Sequence, residues 1–339
     1  MKVLITGGAG YIGSTICSAL KDHGHTPVIL DSLITGQKVF TKGHLFYHGD
    51  IGNRDVVARV FKEHPDIEAT IHCAALIVVP ESVTKPYEYY RENVVKSMNF
   101  FYQLAELGYQ RVVFSSSAAI YDVVSGFMVT EQSPLNPLSP YSRTKYMMEM
   151  VLKDFSHAYA LRGIALRYFN PIGADPQMRS GMHIKEPSHI LGRLVAVALG
   201  EAPVFNITGT DWPTRDGTGI RDYIHVWDLA LAHIKAVEKF DAVIEAEADP
   251  ETPYAVINLG TGTGVTVREM VAAFERVYGK KIQKQEMPPR PGDVAGAYAN
   301  ADKALDLLGW EARLSIDHGI ADALKWGEIR DSILGFNSR

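Results

Sequence analysis

A tyrosine and a lysine four residues apart, in Tyr141-Ser-Arg-Thr-Lys145, are the pair in this 339-residue sequence best suited to acid–base chemistry. At the start of a helix that spacing puts both side chains on one face, with Cβ atoms roughly 5–6 Å apart. A phenol with the ordinary pKa of about 10 is ionised to about one part in a thousand at pH 7. A neighbouring ammonium favours the phenolate, and a lowering of ~3 units corresponds to about 4 kcal/mol. The pair by itself is common by chance. Its company narrows the reading: Ser115-Ser116-Ser117 follows a short apolar run, residues 112–114, at the sheet edge where parallel α/β folds bind ligands. There Ser117 can hydrogen-bond a reacting hydroxyl and hold its proton for Tyr141. Asn93 and Asn170 are further polar residues, each of which alone would pass for a cap or loop residue.

A second group of residues suits phosphate. Gly7, Gly10 and Gly13 are spaced three apart in Met1-Lys-Val-Leu-Ile-Thr-Gly-Gly-Ala-Gly-Tyr-Ile-Gly13, and Gly8, Gly10 and Gly13 complete a G-x-G-x-x-G run. Glycines there allow a tight turn and close approach of backbone to a pyrophosphate. The helix predicted to start at Tyr11 presents free amides and the positive end of its dipole. About 20 residues on stands Asp31, placed to hydrogen-bond adenosine ribose hydroxyls. The same carboxylate repels a 2′-phosphate, so NAD is expected rather than NADP. Its positive nicotinamide would add to the stabilisation of a Tyr141 phenolate. Asp50, in Gly49-Asp50-Ile51, is a second acid suited to the adenine end.

The elements that must position these groups alternate. Residues 3–6, 28–30, 45–47, 69–71, 112–114 and 164–166 read as buried strands, with helical patterns between most of them, for example 11–22 and 55–63. That rhythm predicts an α/β fold, a Rossmann-type doubly wound parallel sheet covered on both faces. It breaks over 171–187, rich in Gly, Pro and Ser. Beyond it, helices at 190–200 and 267–278 and strands at 255–259 and 297–300 read as a smaller α+β part. The expected division is a cofactor domain over 1–175 and a mainly substrate-binding part over 176–330, with some segments returning to the first domain, then a loose tail over 331–339. The acidic stretch 241–253 reads as a solvated loop.

Composition excludes more than it selects. Hydrophobic residues make up 46% and charged residues 22%, with a net charge of -5, which gives no reason to expect nucleic-acid binding. Cys17 and Cys73 cannot form a disulfide framework, and no spacing suggests a metal site. No apolar run approaches the roughly 18 residues of a membrane span, and the start of the chain has no signal-peptide pattern. A cytoplasmic location is expected.

In combination the motifs become specific. TGGAGYIG, Asp31, CAAL with PESVTKPYEYYRENV, FSSSAAIY, YSRTK, YFNPIGA, GTDWPTRDGTGIRDYIHVWDLA, INLGTGTGVTV and RPGDVAGAYAN, running in register from Met1 to about Trp310, resemble the UDP-glucose 4-epimerases of the extended short-chain dehydrogenase family. The resemblance implies Ser117, Tyr141 and Lys145 as catalytic residues. It implies an NAD site formed by Gly7, Gly10, Tyr11, Ile12, Gly13, Asp31, Asp50, Ile51, Ala74, Ala75, Asn93, Ser115, Tyr141, Lys145 and Tyr168. It implies UDP-sugar contacts from Ser117, Tyr141, Asn170, His189, Asn206, Arg221, Arg290, Asp293 and Ala297, and a homodimer paired through two helices of each subunit. Two arginines suit a diphosphate because each can form bidentate charge-assisted bonds.

The resemblance has departures. Ile77 stands where the family often has a lysine near the NAD phosphates; Ser188-His189-Ile190 replaces Asn-Asn-Leu; Asp122 replaces a glycine after the serine-motif tyrosine. Related 4,6-dehydratases carry Asp-Glu, and decarboxylases Glu, directly after the central hydroxyl residue. This chain has Ala118-Ala119, and it keeps the Tyr/Lys pair that a silent nucleotide sensor could lose. The small Ala297, where a bulky tyrosine would wall the sugar pocket, implies room for a 2-acetamido group.

Overall fold

A computed structural model describes residues 1–289 and 293–336. Seven strands form one sheet: β1 (Lys2–Thr6), β2 (Thr26–Asp31), β3 (Leu45–His48), β4 (Ile67–His72), β5 (Arg111–Ser115), β6 (Arg162–Tyr168) and β7 (Tyr254–Leu259). Their spatial order is β7-β6-β5-β4-β1-β2-β3, and every pairing is parallel. Most of the strands are apolar because both faces of the sheet are covered, while the edge strand β3 is partly exposed. Val3 and Ile5 point into a cluster with Ile16 and Leu20 of helix Tyr11–Asp22 and Leu229 of helix Val226–Glu238. Leu4, Val28 and Leu30 point the other way, onto Phe100, Leu104, Met148 and Leu152.

The chain runs outward from β1 to β3, then resumes at β4 on the other side of β1. This reversal opens a crevice at the C-terminal strand ends, the place where doubly wound sheets bind ligands. Helix Pro140–Ala158, which carries Tyr141 and Lys145, begins sharply: Ser139 caps it, Ser142 returns the capping bond, and Pro140 takes the first turn.

Met128–Val129 and residues beyond the sheet's sixth strand build a second layer around the crevice. Strands Val265–Thr266, Ile220–Arg221, Gly296–Ala299 and Met128–Val129 form a small sheet in that order. Phe205–Thr208 pairs with Lys284–Met287, and Asn170–Ile172 pairs with Tyr223–His225. Helix Val226–Glu238 and β7 belong to the large sheet's layers although they lie beyond residue 176. Among the described residues no helix is long and apolar enough to cross a membrane.

Two sequence expectations are corrected. Residues 241–253 are not all loop, because helix Phe240–Glu247 occupies much of the stretch. Phe240, Val243 and Ile244 repeat at helical spacing and are buried in the core, while Asp241 reaches out to pair with Arg111 and Arg162. The tail does not begin at 331, since helix Ile316–Leu334 runs through it. Trp326, Ile329 and Ile333 repeat along that helix and pack onto Phe40 and Met178.

Candidate active site

The crevice is a cavity of about 470 Å³. At one end the glycine turn closes it. Gly7 has φ +73°, and a Cβ there would lie 2.7 Å from the amide nitrogen of Ala74; a Cβ on Gly13 would lie 2.2 Å from the carbonyl oxygen of Gly7. The turn, the helix and the β4 loop therefore meet backbone to backbone, and no side chain could be inserted. Helix Tyr11–Asp22 starts at Gly10 with no side-chain cap and no acid in its first turn, leaving its leading amides for an anion. Tyr11, Ile12, Ile51, Ala74 and Ala75 line the same wall.

Asp31 ends β2 and is almost fully buried. Its Oδ2 accepts from the Ala9 amide at 2.9 Å and its Oδ1 from the Leu33 amide at 2.8 Å, and burial pushes its carboxyl above the usual range. A carboxylate has about four lone-pair sites, so two remain for ribose hydroxyls. These residues fit a dinucleotide. Asp50 lies nearby, its Oδ1 accepting from the Gly52 amide and its Oδ2 paired at 2.6 Å with Lys96, which also pairs with Glu92. Lys96 and Glu92 line the cavity, and sequence reasoning missed both. No local signal marks them, since they read as an ordinary i,i+4 ion pair on a helix. Ile77, in place of the expected lysine, stands exposed at the rim.

At the centre Lys145 and Tyr168 line the cavity. The phenol of Tyr141 lies near Ser117, and close enough to Tyr168 and Tyr89 to raise both of their phenols further. The expectation that Lys145 lowers the Tyr141 phenol is not met in the protein alone. Burial raises that phenol, and the nearby Ser117 hydroxyl opposes the rise. The Lys145 Nζ instead donates to the Ser115 carbonyl at 2.8 Å and stands 5.1 Å from the Phe114 ring centroid. Burial lowers its own pKa to about 8.

Two residues expected to touch cofactor are also held by partners within the fold. Ser115 is buried, its Oγ 3.0 Å from Nε2 of His233 and 3.1 Å from Sγ of Cys73. His233 Nδ1 lies 2.8 Å from the Leu229 carbonyl and must donate to it, so Nε2 accepts and Ser115 is the donor. Asn93 is also buried: its Oδ1 accepts from the Leu76 amide, and its Nδ2 donates to the Leu76 carbonyl and to Thr144. It clamps the loop after β4 to the helix of Tyr141.

The far end is walled by Asn170, His189, Thr208, Trp212, Arg221 and Asp293. Arg221 donates through Nη1 to the Ile220 and Ala295 carbonyls and through Nη2 to the Val294 carbonyl. His189 caps helix Ile190–Ala198: its Nδ1 accepts from the Gly192 amide, and burial lowers its pKa to about 4. Its proton therefore sits on Nε2, which is buried without a partner. Asn206 does not line the cavity. Phe205 and Ile207 face the core, so Asn206 is turned outward, where it is exposed and accepts from Gln285. Ala297 lies opposite Arg221 in register and packs against Tyr121, Val129 and Phe169 rather than on the open wall. Arg290 lies outside the described residues. Trp212 carried no signal beyond its place in the GTDWPT segment.

The arrangement joins a dinucleotide cradle, Lys145 and an arginine-bearing end in one cavity, with Tyr141 one helical turn before Lys145. Residues 3–260 match the model of the NAD dependent epimerase/dehydratase family. The UDP-glucose 4-epimerase of Bacillus subtilis is 41% identical over 96% of this chain and 96% of its own length. A crystal structure of UDP-glucose-4-epimerase from Stenotrophomonas maltophila with bound NAD and formylated UDP-arabinopyranose superposes with a TM-score of 0.91, at 36% identity over 98% of this chain and 99% of that one. The Bifidobacterium longum UDP-glucose 4-epimerase, in complex with NAD+ and UDP, gives a TM-score of 0.88 at 33% identity over 97% of this chain and 98% of that one. With a family model spanning most of the chain and relatives matching it nearly end to end, this chain belongs to the NAD dependent epimerase/dehydratase family.

Proposed function

We propose that this protein inverts the C4 hydroxyl of UDP-hexoses, interconverting UDP-glucose and UDP-galactose. The observation that carries the reading is one cavity lined by the glycine turn, Asp31, Lys145 and Arg221, with Tyr141 one helical turn before Lys145. NAD, held by the glycine turn, Asp31 and the Asp50–Ile51 edge, supplies a reversible hydride acceptor for the sugar carbon. Tyr141 takes the proton from the C4 hydroxyl and returns it after inversion, and Ser117 orients that hydroxyl. Asn170, Arg221 and Asp293 hold the UDP moiety while the 4-keto sugar turns about its diphosphate linkage. Because burial alone raises the Tyr141 phenol, the positive charge needed to ionise it comes from the loaded site. No acid follows Ser117: the turn there is Ala118–Ile120, which leaves nothing to eliminate water from C5–C6.

The test incubates purified protein with UDP-galactose and resolves the products by chromatography. UDP-glucose is expected; a 4-keto-6-deoxy product, or no turnover with intact NAD, overturns the reading.

The finer assignments follow from the same picture. Residues 1–175 mainly bind cofactor and 176–330 mainly the nucleotide sugar. The resemblance extends the substrates to UDP-N-acetylhexosamines through the small Ala297, which packs behind the cavity wall and not on it. Val95, Met98 and Tyr102 near one helix and Met150 on the neighbouring one are exposed apolar side chains, which supports a homodimer through those two helices. A Met98→Glu/Tyr102→Glu chain that sediments as the wild type does would remove that pairing. Free thiols at Cys17 and Cys73 suit the cytoplasm, and fractionation of cells expressing the chain checks it.

A further inference from the structure

The cavity's far end has a rigid aromatic wall that neither the cofactor site nor the catalytic centre uses. Strand Phe205–Thr208 buries Phe205 and Ile207 and gives the cavity only Thr208, which has no ring to offer. Tyr223 also borders this end, but it is nearly fully buried in the core below it. Trp212 is the partly exposed ring, on the same wall as Arg221, Asp293 and Val267.

Its position is built rather than incidental. The Trp212 amide donates to the Gly217 carbonyl at 2.9 Å and its carbonyl accepts from the Thr214 amide at 2.7 Å, closing a tight loop. Thr214 Oγ1 donates to the Thr218 carbonyl at 2.6 Å, and the Thr218 amide donates to Asp216 Oδ1 at 2.9 Å, tying the loop's second half. Pro213 restricts the Trp212 backbone to extended conformations. Beneath the indole is Gly209, at φ +73°, where a Cβ would lie 2.4 Å from Nε1 and 3.3 Å from Cδ1 of Trp212. The indole edge therefore rests on bare backbone, and Gly209 is the residue that admits it.

A ring held at its edge and through its backbone loses little freedom when a flat ligand settles on its face, which is how aromatic platforms bind bases. We propose that Trp212 is the stacking platform for the pyrimidine of the nucleotide sugar, placed beyond the arginine that attracts its diphosphate. This rests on the UDP-sugar reading above and adds the residue that recognises the base. Stacking is the same in ground and transition states, so it lowers KM and leaves kcat alone.

The test titrates the NAD-loaded protein with UDP and, separately, with inorganic pyrophosphate, following intrinsic fluorescence and calorimetry. Wild type is expected to bind UDP with quenching of indole emission. Trp212→Ala should bind UDP roughly ten-fold to a hundred-fold more weakly, the range that loss of one base stack gives, while pyrophosphate binding stays within about two-fold. Trp212→Phe should recover part of the affinity without the quench. Gly209→Ala, which keeps the tryptophan but dislodges it, should behave like Trp212→Ala. In turnover, Trp212→Ala should raise KM for UDP-galactose with kcat nearly unchanged. UDP affinity in Trp212→Ala equal to wild type overturns the platform. Equal losses for UDP and pyrophosphate also overturn it, because they mark general collapse of that end. Wild type that binds no UDP overturns the function reading itself.

Discussion

Replacing Gly296 with alanine is predicted to weaken both the fold and the grip on the nucleotide sugar, and the structure sets the size of the effect. Gly296 has φ +123°, a conformation that L side chains rarely adopt, and its added Cβ would stand 1.8 Å from the Ile220 carbonyl oxygen and 2.0 Å from Arg221 Nη1. The backbone strain costs about 1–3 kcal/mol. The overlap with backbone cannot be relieved by a rotamer change, so strand Gly296–Ala299 must move away from Ile220–Arg221. That movement breaks the 2.8 Å bond from the Ile220 amide to the Ala295 carbonyl and the 2.9 Å bond from Arg221 Nη1 to the same oxygen. A neutral hydrogen bond contributes about 1 kcal/mol and one to a charged group about 1.5–3 kcal/mol. Part of this is recovered by water, so a total loss of roughly 3–5 kcal/mol follows from these ranges. Urea unfolding of wild type and Gly296→Ala measures it. Because Arg221 is displaced, KM for UDP-galactose should rise about ten-fold or more, one lost charged contact converted at ~1.4 kcal/mol per decade. NAD content, set at the other end of the cavity, should be unchanged. A variant with wild-type unfolding and wild-type KM would show that the strand pair tolerates a side chain there, and that Gly296 does not position Arg221.

Tyr141→Phe should keep fold and NAD while turnover falls about 10²–10⁴-fold, the usual cost of losing general-base catalysis; near-native turnover would remove Tyr141 from the mechanism. The protein should purify with NAD already bound, since its cycle has no net redox change, and denatured protein lacking NAD(H) together with an absolute need for added cofactor would contradict this. Lys145 in the folded protein loses its proton near pH 8, below the 10.5 of the unfolded chain. The unfolded state therefore binds more protons between those values, stability rises with pH from about 8 to about 10.5, and below pH 8 the buried charge costs about 3 kcal/mol. Cofactor-stripped Lys145→Met should accordingly be more stable than wild type at pH 7, with the gain shrinking toward pH 10.5, and an equal or lower urea midpoint at pH 7 would refute the assignment. Ala297→Tyr should lower kcat/KM for UDP-GalNAc relative to UDP-galactose; an unchanged ratio would show that Ala297 does not gate the pocket.

The sequence by itself determined the sheet and the cofactor end, because both are written in local terms. A parallel strand buried on two faces must be a short apolar run, and a turn that touches three backbones must be glycine, so β1, Gly7, Gly10, Gly13 and Asp31 are legible in order along the chain. The helix carrying Tyr141 and Lys145 is legible for the same reason: its cap, its proline and its i,i+4 pair lie within a few residues. Tertiary structure alone decided what those side chains do with their charge. Lys145, on its helix, turns to the Ser115 carbonyl on strand β5, Ser115 is claimed by His233 on a helix 118 residues away in sequence, and Asn93 is spent on Leu76 and Thr144. Asn206 faces outward because its flanking residues Phe205 and Ile207 take the core side of the strand, an alternation written in the strand itself. Lys96 beside Asp50 came to the cavity from a helix with no motif of its own, and Trp212 came from a motif that assigned its ring no role. Hydrogen-bond partners and cavity walls are chosen by proximity across the fold, and sequence spacing encodes proximity only within one helix or strand.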